Sequence, residues 1–289
     1  MTHQQGKRAS SIDQGIIGPE VTMNGTQQTL MRSQAGQEYQ IFIFKPTEDP
    51  PPLGYPVIYV LDANTVFGTI VEAVRLQSCR SEKTGVVPAV IVGICYITDE
   101  LFSPFRHYDF TMPGFATELP QRPDGTPWPQ HGGAEQFLNF IEEDLKPKIQ
   151  THFNIDITRQ TLFGHSLGGL FVLQTLYTRP ALFQTYIAGS PTIYMNEKFF
   201  IENEKEFESK LKQEAININV FIGVGELEKD HKSHMHENAL EFSRRISALK
   251  NCGVEVAQFK IFEGEGHLSV FPPLINTALR FALSPSDKK

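Results

Sequence analysis

Two stretches of this chain, VIYVLDA (57–63) and AVIVGICYI (89–97), are apolar almost without interruption, and TLFGHS (161–166), FQTYIAGSP (183–191), INVFIGVGE (218–226) and VAQFKIFEGEG (256–266) continue the series. A strand with no polar face cannot lie against water. Such runs suit strands covered on both sides, the condition of a parallel sheet flanked by helices. Between them apolar residues recur at helical spacing: Phe137, Leu138, Phe140, Ile141, Leu145 and Ile149; then Leu167, Leu170, Phe171, Leu173, Leu176 and Tyr177. Leu240, Phe242, Ile246 and Leu249 form a third set, and Leu274, Ile275, Leu279 and Phe281 a last one. IENEKEFESKLKQ (201–213) reads as a further, solvated helix.

Ahead of this alternation, TQQTLMRSQ (26–34) and EYQIFIFKP (38–46) switch between apolar and polar residues around Ala35-Gly36, the pattern of an antiparallel hairpin. The predicted fold class is therefore α/β: a mostly parallel, twisted sheet with an antiparallel N-terminal hairpin and helices on both faces. With 289 residues, one domain accommodates it. Residues 1–25 form a lead-in and 26–285 the domain. The long irregular segment at about 98–133 is an insertion of the length that usually serves as a lid or substrate wall.

Several function classes fall away. A net charge of −7 gives no basic footprint for nucleic acid. No apolar run approaches the roughly 18 residues needed for membrane insertion. The N-terminal MTHQQGKRASSIDQG lacks the apolar stretch of a secretory signal, so a cytoplasmic location is expected. Cys79, Cys95 and Cys252 are scattered without a C-x-x-C pair, which suggests neither a disulfide framework nor a zinc site.

FGHSLGGL (163–170) carries the chemistry. G-x-S-x-G alone is a weak pattern, but Ser166 falls between the strand TLFG and an amphipathic helix, the context of a nucleophile elbow. Gly164 and Gly168 meet the need of a tight turn in which a Cβ on either side would collide. The helix N-terminus brings free N–H groups and a positive dipole end to Ser166.

Serine needs a base, and the base an orienting acid. On this scaffold they follow in the order Ser, Asp or Glu, His, on loops at the carboxyl ends of later strands. His267, in EGEGHLSV after the last strand, fits the base. His165, His152 and His3 are worse placed. The acid belongs after INVFIGVG, where Glu226, Glu228 and Asp230 are all available; spacing does not choose among them. For an oxyanion hole, Leu167 offers one backbone N–H, and Asn64 in LDANTVF is the best-placed second donor.

Three other features carry two readings each. In DHKSHMHE (230–237), His231 and His234 could share a helix face, but no zinc motif is present and a solvated helix start is the plainer reading. No metal or other cofactor is expected. Arg106, in RHYDFTMP, either makes a salt bridge or binds an anion. Trp128 lines a pocket or pins the insertion.

The chain resembles the α/β-hydrolase esterases that open trilactone catecholate siderophores, the enterobactin and bacillibactin esterases, within the esterase-D-like superfamily. The likeness runs from about residue 27 to 283. It rests on EYQIFIFKP, YVLDANTVF, RHYDFTMP, GGAEQFLNFIEEDLKP, FGHSLGGLFVL, GSPTIYMN, VGELEKDH and GEGHLSV. The resemblance implies an α/β-hydrolase fold, Ser166 as nucleophile, His267 as base, Glu228 as acid, an oxyanion donor at Asn64, and Arg106 near a bound siderophore. It implies a small-molecule ester substrate, a ferric catecholate siderophore whose lactone bonds are hydrolysed. Departures are Ala63, where glycine is common, and Tyr194 and Met195, where tryptophans are frequent. A general carboxylesterase or thioesterase would use the same triad; a non-catalytic binding scaffold would not need it.

Overall fold

The structure, a computed structural model, describes residues 22–113, 125–230 and 232–285. Most of the expected lead-in, the middle of the insertion and His231 lie outside the described residues. The apolar and alternating runs become eight strands: β1 (Thr26–Arg32), β2 (Glu38–Phe44), β3 (Tyr55–Val60), β4 (Val90–Cys95), β5 (Ile155–His165), β6 (Thr185–Gly189), β7 (Ile218–Gly225) and β8 (Val254–Phe262). They pair in one sheet in the order β1-β2-β4-β3-β5-β6-β7-β8. β1 and β2 form the hairpin, and β2 meets β4 antiparallel, Phe42 opposite Gly93. From β4 to β8 every pairing is parallel. β3, β4 and β6 are buried along their whole length, as continuous apolar runs require.

The helices are α1 (Ala63–Ser78), α2 (Ser81–Thr84), α3 (Arg106–Asp109), α4 (Ala134–Asn139), α5 (Lys146–His152), α6 (Leu167–Thr178), α7 (Glu197–Gln213), α8 (Met235–Ala248) and α9 (Phe271–Ala282). Successive strand residues point to opposite faces, so each strand feeds two cores. Ile58, Val60, Phe163, Ile187 and Phe221 pack with Val66, Ile70 and Val74 of α1 and Leu274 and Ile275 of α9. Tyr59, Leu162, Tyr186 and Val220 pack on the other face with Phe137, Phe171, Phe200, Phe207 and Phe242. Each fully buried side chain of this kind contributes about 1.5–3 kcal/mol. α6 is buried from Leu167 to Tyr177 because it lies between the sheet and α7. Between α4 and α5 the helix widens into a π turn over Phe140–Leu145. Pro147 follows; it lacks an N–H to donate one turn back, and its ring would collide with that carbonyl.

Two local expectations are corrected. The run VIYVLDA does not stay extended to residue 63: β3 ends at Val60, and Asp62 turns into the left-handed region at φ 50°. That turn starts α1, a 16-residue helix whose apolar face had not been separated from the preceding strand. The insertion is also not wholly irregular, since α3 lies in it.

The elements leave the carboxyl ends of β3, β5, β7 and β8 on one edge of the sheet, where an open parallel sheet places its ligands. β5 lies in the middle, paired with β3 through Val60 and Phe163 and with β6 through His165 and Gly189.

Candidate active site

Ser166 joins β5 to α6 at φ 58° and ψ −118°. A non-glycine residue held there stores roughly 1–3 kcal/mol of strain, so the surroundings must impose it. They do: the Ser166 N–H donates to Gly189 O at 2.8 Å, and its carbonyl accepts from Leu170 N–H at 2.9 Å. The close approach of strand and helix depends on Gly164, because a Cβ there would sit 2.3 Å from the Gly168 carbonyl oxygen.

His267 lies on the turn after β8, and its Nε2 is 3.0 Å from Ser166 Oγ. Its Nδ1 is 2.8 Å from Glu228 Oε2. An ionised carboxylate only accepts, so Nδ1–H donates to Glu228 and Nε2 is left to accept from the serine hydroxyl. This is the tautomer a general base needs. Glu228 is turned inward by the 3₁₀ turn Glu226–Asp230 that follows β7. Its Oε1 accepts from the Gly225 N–H at 2.7 Å and from Ser190 Oγ at 2.5 Å. Burial on its own would raise the Glu228 carboxyl, but the hydrogen bonds from His267, Ser190 and Gly225 together outweigh it and hold the group below the usual carboxylate range. Glu228 thus stays charged with its side chain only 2 % exposed, while the His267 side chain is 36 % exposed and open to substrate.

The same turn separates the three candidate acids. Glu226 is exposed and accepts from the Gly264 N–H at 2.9 Å, and Asp230 is exposed at the end of the turn. Glu228 alone of the three reaches His267. The loops that carry Glu228 and His267 are stitched together by Leu227 N–H donating to Glu265 O at 2.9 Å. Gly225 permits this, since a Cβ there would lie 2.4 Å from the same carbonyl oxygen.

Leu167 and Asn64 each stand in the first turn of a helix, α6 and α1, where backbone N–H groups have no intrahelical acceptor. The Asn64 side chain is occupied: its Nδ2 donates to Tyr96 O and its Oδ1 accepts from Tyr96 N–H, both at 2.9 Å. Its backbone N–H is the group that remains for an oxyanion.

Arg106 makes the salt bridge that was one of its two readings from the sequence. Its Nε and Nη2 donate to Asp62 Oδ1 and Oδ2 at 2.9 and 2.8 Å, a bidentate pair in which the side chains are 11 % and 6 % exposed. Its charge is matched by Asp62 inside the protein.

The remaining expectations sort quickly. His165, inside the elbow, is buried with its ring 4.7 Å from that of His267 and 4.1 Å from Phe271. Burial above all, then the neighbouring His267 and Arg106, pushes it well below the usual histidine range, so it is a neutral back wall to His267. Neither of its ring nitrogens has a hydrogen-bond partner among the described residues. Trp128 packs partly buried on the main core and pins the insertion. Met195 is buried in that core, while Tyr194 is half-exposed. His234 starts α8 and His236 packs edge-on to Phe259. Among the described residues no three histidine, cysteine or carboxylate side chains gather as a metal site. Ser190 and Asp62 were not singled out by sequence reasoning. Both lie in quoted signposts, GSPTIYMN and YVLDANTVF, and both have positive φ, which sequence does not show.

Comparison with known proteins gives a consistent set of relatives. A family model for putative esterases matches residues 33–281. The chain is 57 % identical over 265 residues, 91 % of each chain, to a ferri-bacillibactin esterase of Bacillus subtilis. The crystal structure of the BES protein from Bacillus cereus superposes with a TM-score of 0.85 at 44 % identity, covering 93 % of this chain and all of the other. The siderophore hydrolase EstA from Aspergillus nidulans superposes at 0.77 with 25 % identity, covering 92 % and 98 %.

Proposed function

This chain belongs to the putative esterase family, and from that premise we propose that it is a serine esterase that opens the lactone ester bonds of ferric catecholate trilactone siderophores, helping to release their iron. One observation carries the reading: Ser166, His267 and Glu228 form an unbroken chain of contacts, 3.0 and 2.8 Å, at the carboxyl edge of the sheet. The substrate class is supported by the identity to the ferri-bacillibactin esterase over nine-tenths of both chains.

In this mechanism Ser166 Oγ attacks a lactone carbonyl while His267 Nε2 takes the hydroxyl proton. Glu228 stabilises the imidazolium through Nδ1–H without being protonated itself. The carbonyl oxygen, now negative, is received by the Leu167 and Asn64 N–H groups. Collapse breaks the ester C–O bond, and His267 returns the proton to the leaving alkoxide. The opened chain remains as an acyl-enzyme on Ser166. A water, deprotonated by the same histidine, then attacks the acyl carbon and frees the serine. No cofactor is assigned a step; the iron arrives and leaves with the substrate. Nucleic acid is not a partner in this reading, and the site of action is the cytoplasm. Among the described residues no helix is long and apolar enough to cross a membrane.

The test is mass-spectrometric. Wild type and Ser166→Ala are incubated with ferric and iron-free trilactone catecholate siderophores. Products heavier by one water per opened bond are expected from wild type alone. Turnover of activated short-chain esters with no ring opening would keep the esterase and discard the siderophore.

A further inference from the structure

Asp62 stands at the N-cap of α1. Aspartate is among the strongest capping residues, because its carboxylate accepts from the N–H groups of the second and third helical residues. Here it does not cap. Its backbone is left-handed, φ 50° and ψ 39°, rather than extended as in an ordinary capping residue, and its side chain makes no cap hydrogen bond. Both carboxylate oxygens go to Arg106 instead. The Thr65 N–H is satisfied by the Asp62 carbonyl at 3.0 Å, and the Asn64 side chain is tied to Tyr96. The N–H groups of Ala63 and Asn64 are thereby left at the open end of α1.

We propose that Arg106 is a positioning residue for the oxyanion-binding loop: by gripping both oxygens of Asp62 it keeps that carboxylate off the first-turn N–H groups of α1 and leaves them to the substrate. The inference rests on the reading of Ser166 as an ester-cleaving nucleophile with Leu167 and Asn64 as oxyanion donors.

Charge leads to the same arrangement. The position a Cβ would take on Gly168 is 3.2 Å from Asp62 Oδ2, so the carboxylate lies against the start of α6 as well as that of α1. An unmatched negative charge between the two donor helices would oppose an oxyanion forming there. The Arg106 guanidinium, bidentate and nearly buried, neutralises it.

The grip is itself braced. The guanidinium carbon lies 5.3 and 5.5 Å from the ring centroids of Phe102 and Phe110. One turn along α3, the buried Asp109 accepts from Tyr39 Oη at 3.0 Å and Tyr96 Oη at 2.9 Å. Tyr96 is also the residue whose backbone pairs with the Asn64 amide. The segment RHYD and the segment LDAN are thus anchored on one tyrosine, and the bidentate pair closes the ring between them.

The experiment compares wild type, Arg106→Ala, Arg106→Lys and the double variant Asp62→Gly/Arg106→Ala. Glycine accepts the left-handed backbone and has no carboxylate to collapse onto the helix. Substrates are a neutral short-chain nitrophenyl ester and a ferric trilactone siderophore. Loss of an oxyanion donor predicts that Arg106→Ala lowers kcat about 100- to 1000-fold on both, KM changing little. Lysine cannot hold both oxygens, so Arg106→Lys also loses kcat on the neutral ester. The double variant recovers at least about tenfold over Arg106→Ala, because the misplaced carboxylate is gone.

An Arg106→Ala enzyme with wild-type kcat on the neutral ester and a raised KM for the siderophore alone overturns the proposal and makes Arg106 a substrate contact. A double variant no faster than Arg106→Ala also overturns it. If Arg106→Ala does not fold, Arg106→Lys decides, and unchanged kcat on the neutral ester refutes the positioning role. Wild-type protein inert toward every ester would instead defeat the function on which the proposal stands.

Discussion

Replacing Gly164 by alanine adds one methyl group at the tightest point of the elbow. Its carbon would lie 2.3 Å from the Gly168 carbonyl oxygen, 2.5 Å from the Gly168 carbonyl carbon and 3.0 Å from Val172 Cγ2, where ordinary contact begins at 3.4 Å. Two of those atoms are backbone of α6 and cannot rotate away. In an interior packed this closely, the helix start must retreat from β5 by about 1 Å. Overpacking of this kind costs about 1–3 kcal/mol, or a fall in Tm of about 2–5 °C for a domain of this size. The same displacement carries the Leu167 N–H and Ser166 Oγ off their alignment, and a misplacement of about 1 Å costs about 100-fold in rate. The assay is kcat/KM on a neutral nitrophenyl ester with thermal unfolding in parallel. Gly266→Ala is the control: Gly266 adjoins His267 but has no atom within 4 Å of its would-be Cβ and no left-handed φ. An open-surface change of that kind costs at most about 0.5 kcal/mol. Wild-type rate and Tm for Gly164→Ala would refute the view that backbone contact at this residue fixes the nucleophile.

Three further outcomes follow from the same geometry. Glu228→Gln keeps the size of the acid but removes the charge that fixes the His267 tautomer, so kcat falls about 100- to 10,000-fold, whereas Glu226→Gln, on the exposed side of the turn, keeps wild-type turnover of the same ester. Ser190→Ala removes a 2.5 Å hydrogen bond to the buried Glu228 carboxylate; it costs about 1.5–3 kcal/mol in denaturant unfolding at neutral pH. That deficit shrinks as acid protonates Glu228, whose depressed pKa gives stability that is present above the ordinary carboxylate range and lost as pH falls through the folded value. Asp109 is the opposite case, raised from 3.8 to about 6 chiefly by burial, against the two tyrosine hydrogen bonds. Its contribution is fully present below the unfolded value and lost as pH rises through about 6, at most about 3 kcal/mol across that window. The Tm of Asp109→Asn relative to wild type should therefore climb between pH 4 and 6, and a constant difference would contradict the assignment.

The sheet was legible because a strand buried on both faces leaves no polar residue to confuse the pattern, as VIVGIC of β4 shows. α1 was harder. In VIYVLDANTVF the polar residues Asp62, Asn64 and Thr65 fall at the junction of strand and helix, but the break itself is a backbone event, the left-handed turn of Asp62. The meeting of Ser166 and His267 was legible because the chemistry proposed for them requires a place in the chain order, strand–turn–helix for one and the last loop for the other. The choice of Glu228 over Glu226 and Asp230 needed the direction in which a five-residue 3₁₀ turn faces, which composition does not encode. Long-range polar pairings were the least visible. Arg106 and Asp62 are 44 residues apart, and Ser190 and Glu228 are 38, so nothing local marks either pair.

The most direct test of the site is to trap it. Wild-type protein is treated with a serine-directed phosphonate, digested, and the modified peptide sequenced by mass spectrometry, with ester turnover followed in the same sample. The account predicts one adduct per chain on Ser166, formed as activity disappears, and none in Ser166→Ala. An adduct on another residue, or full turnover of esters by Ser166→Ala, would contradict it.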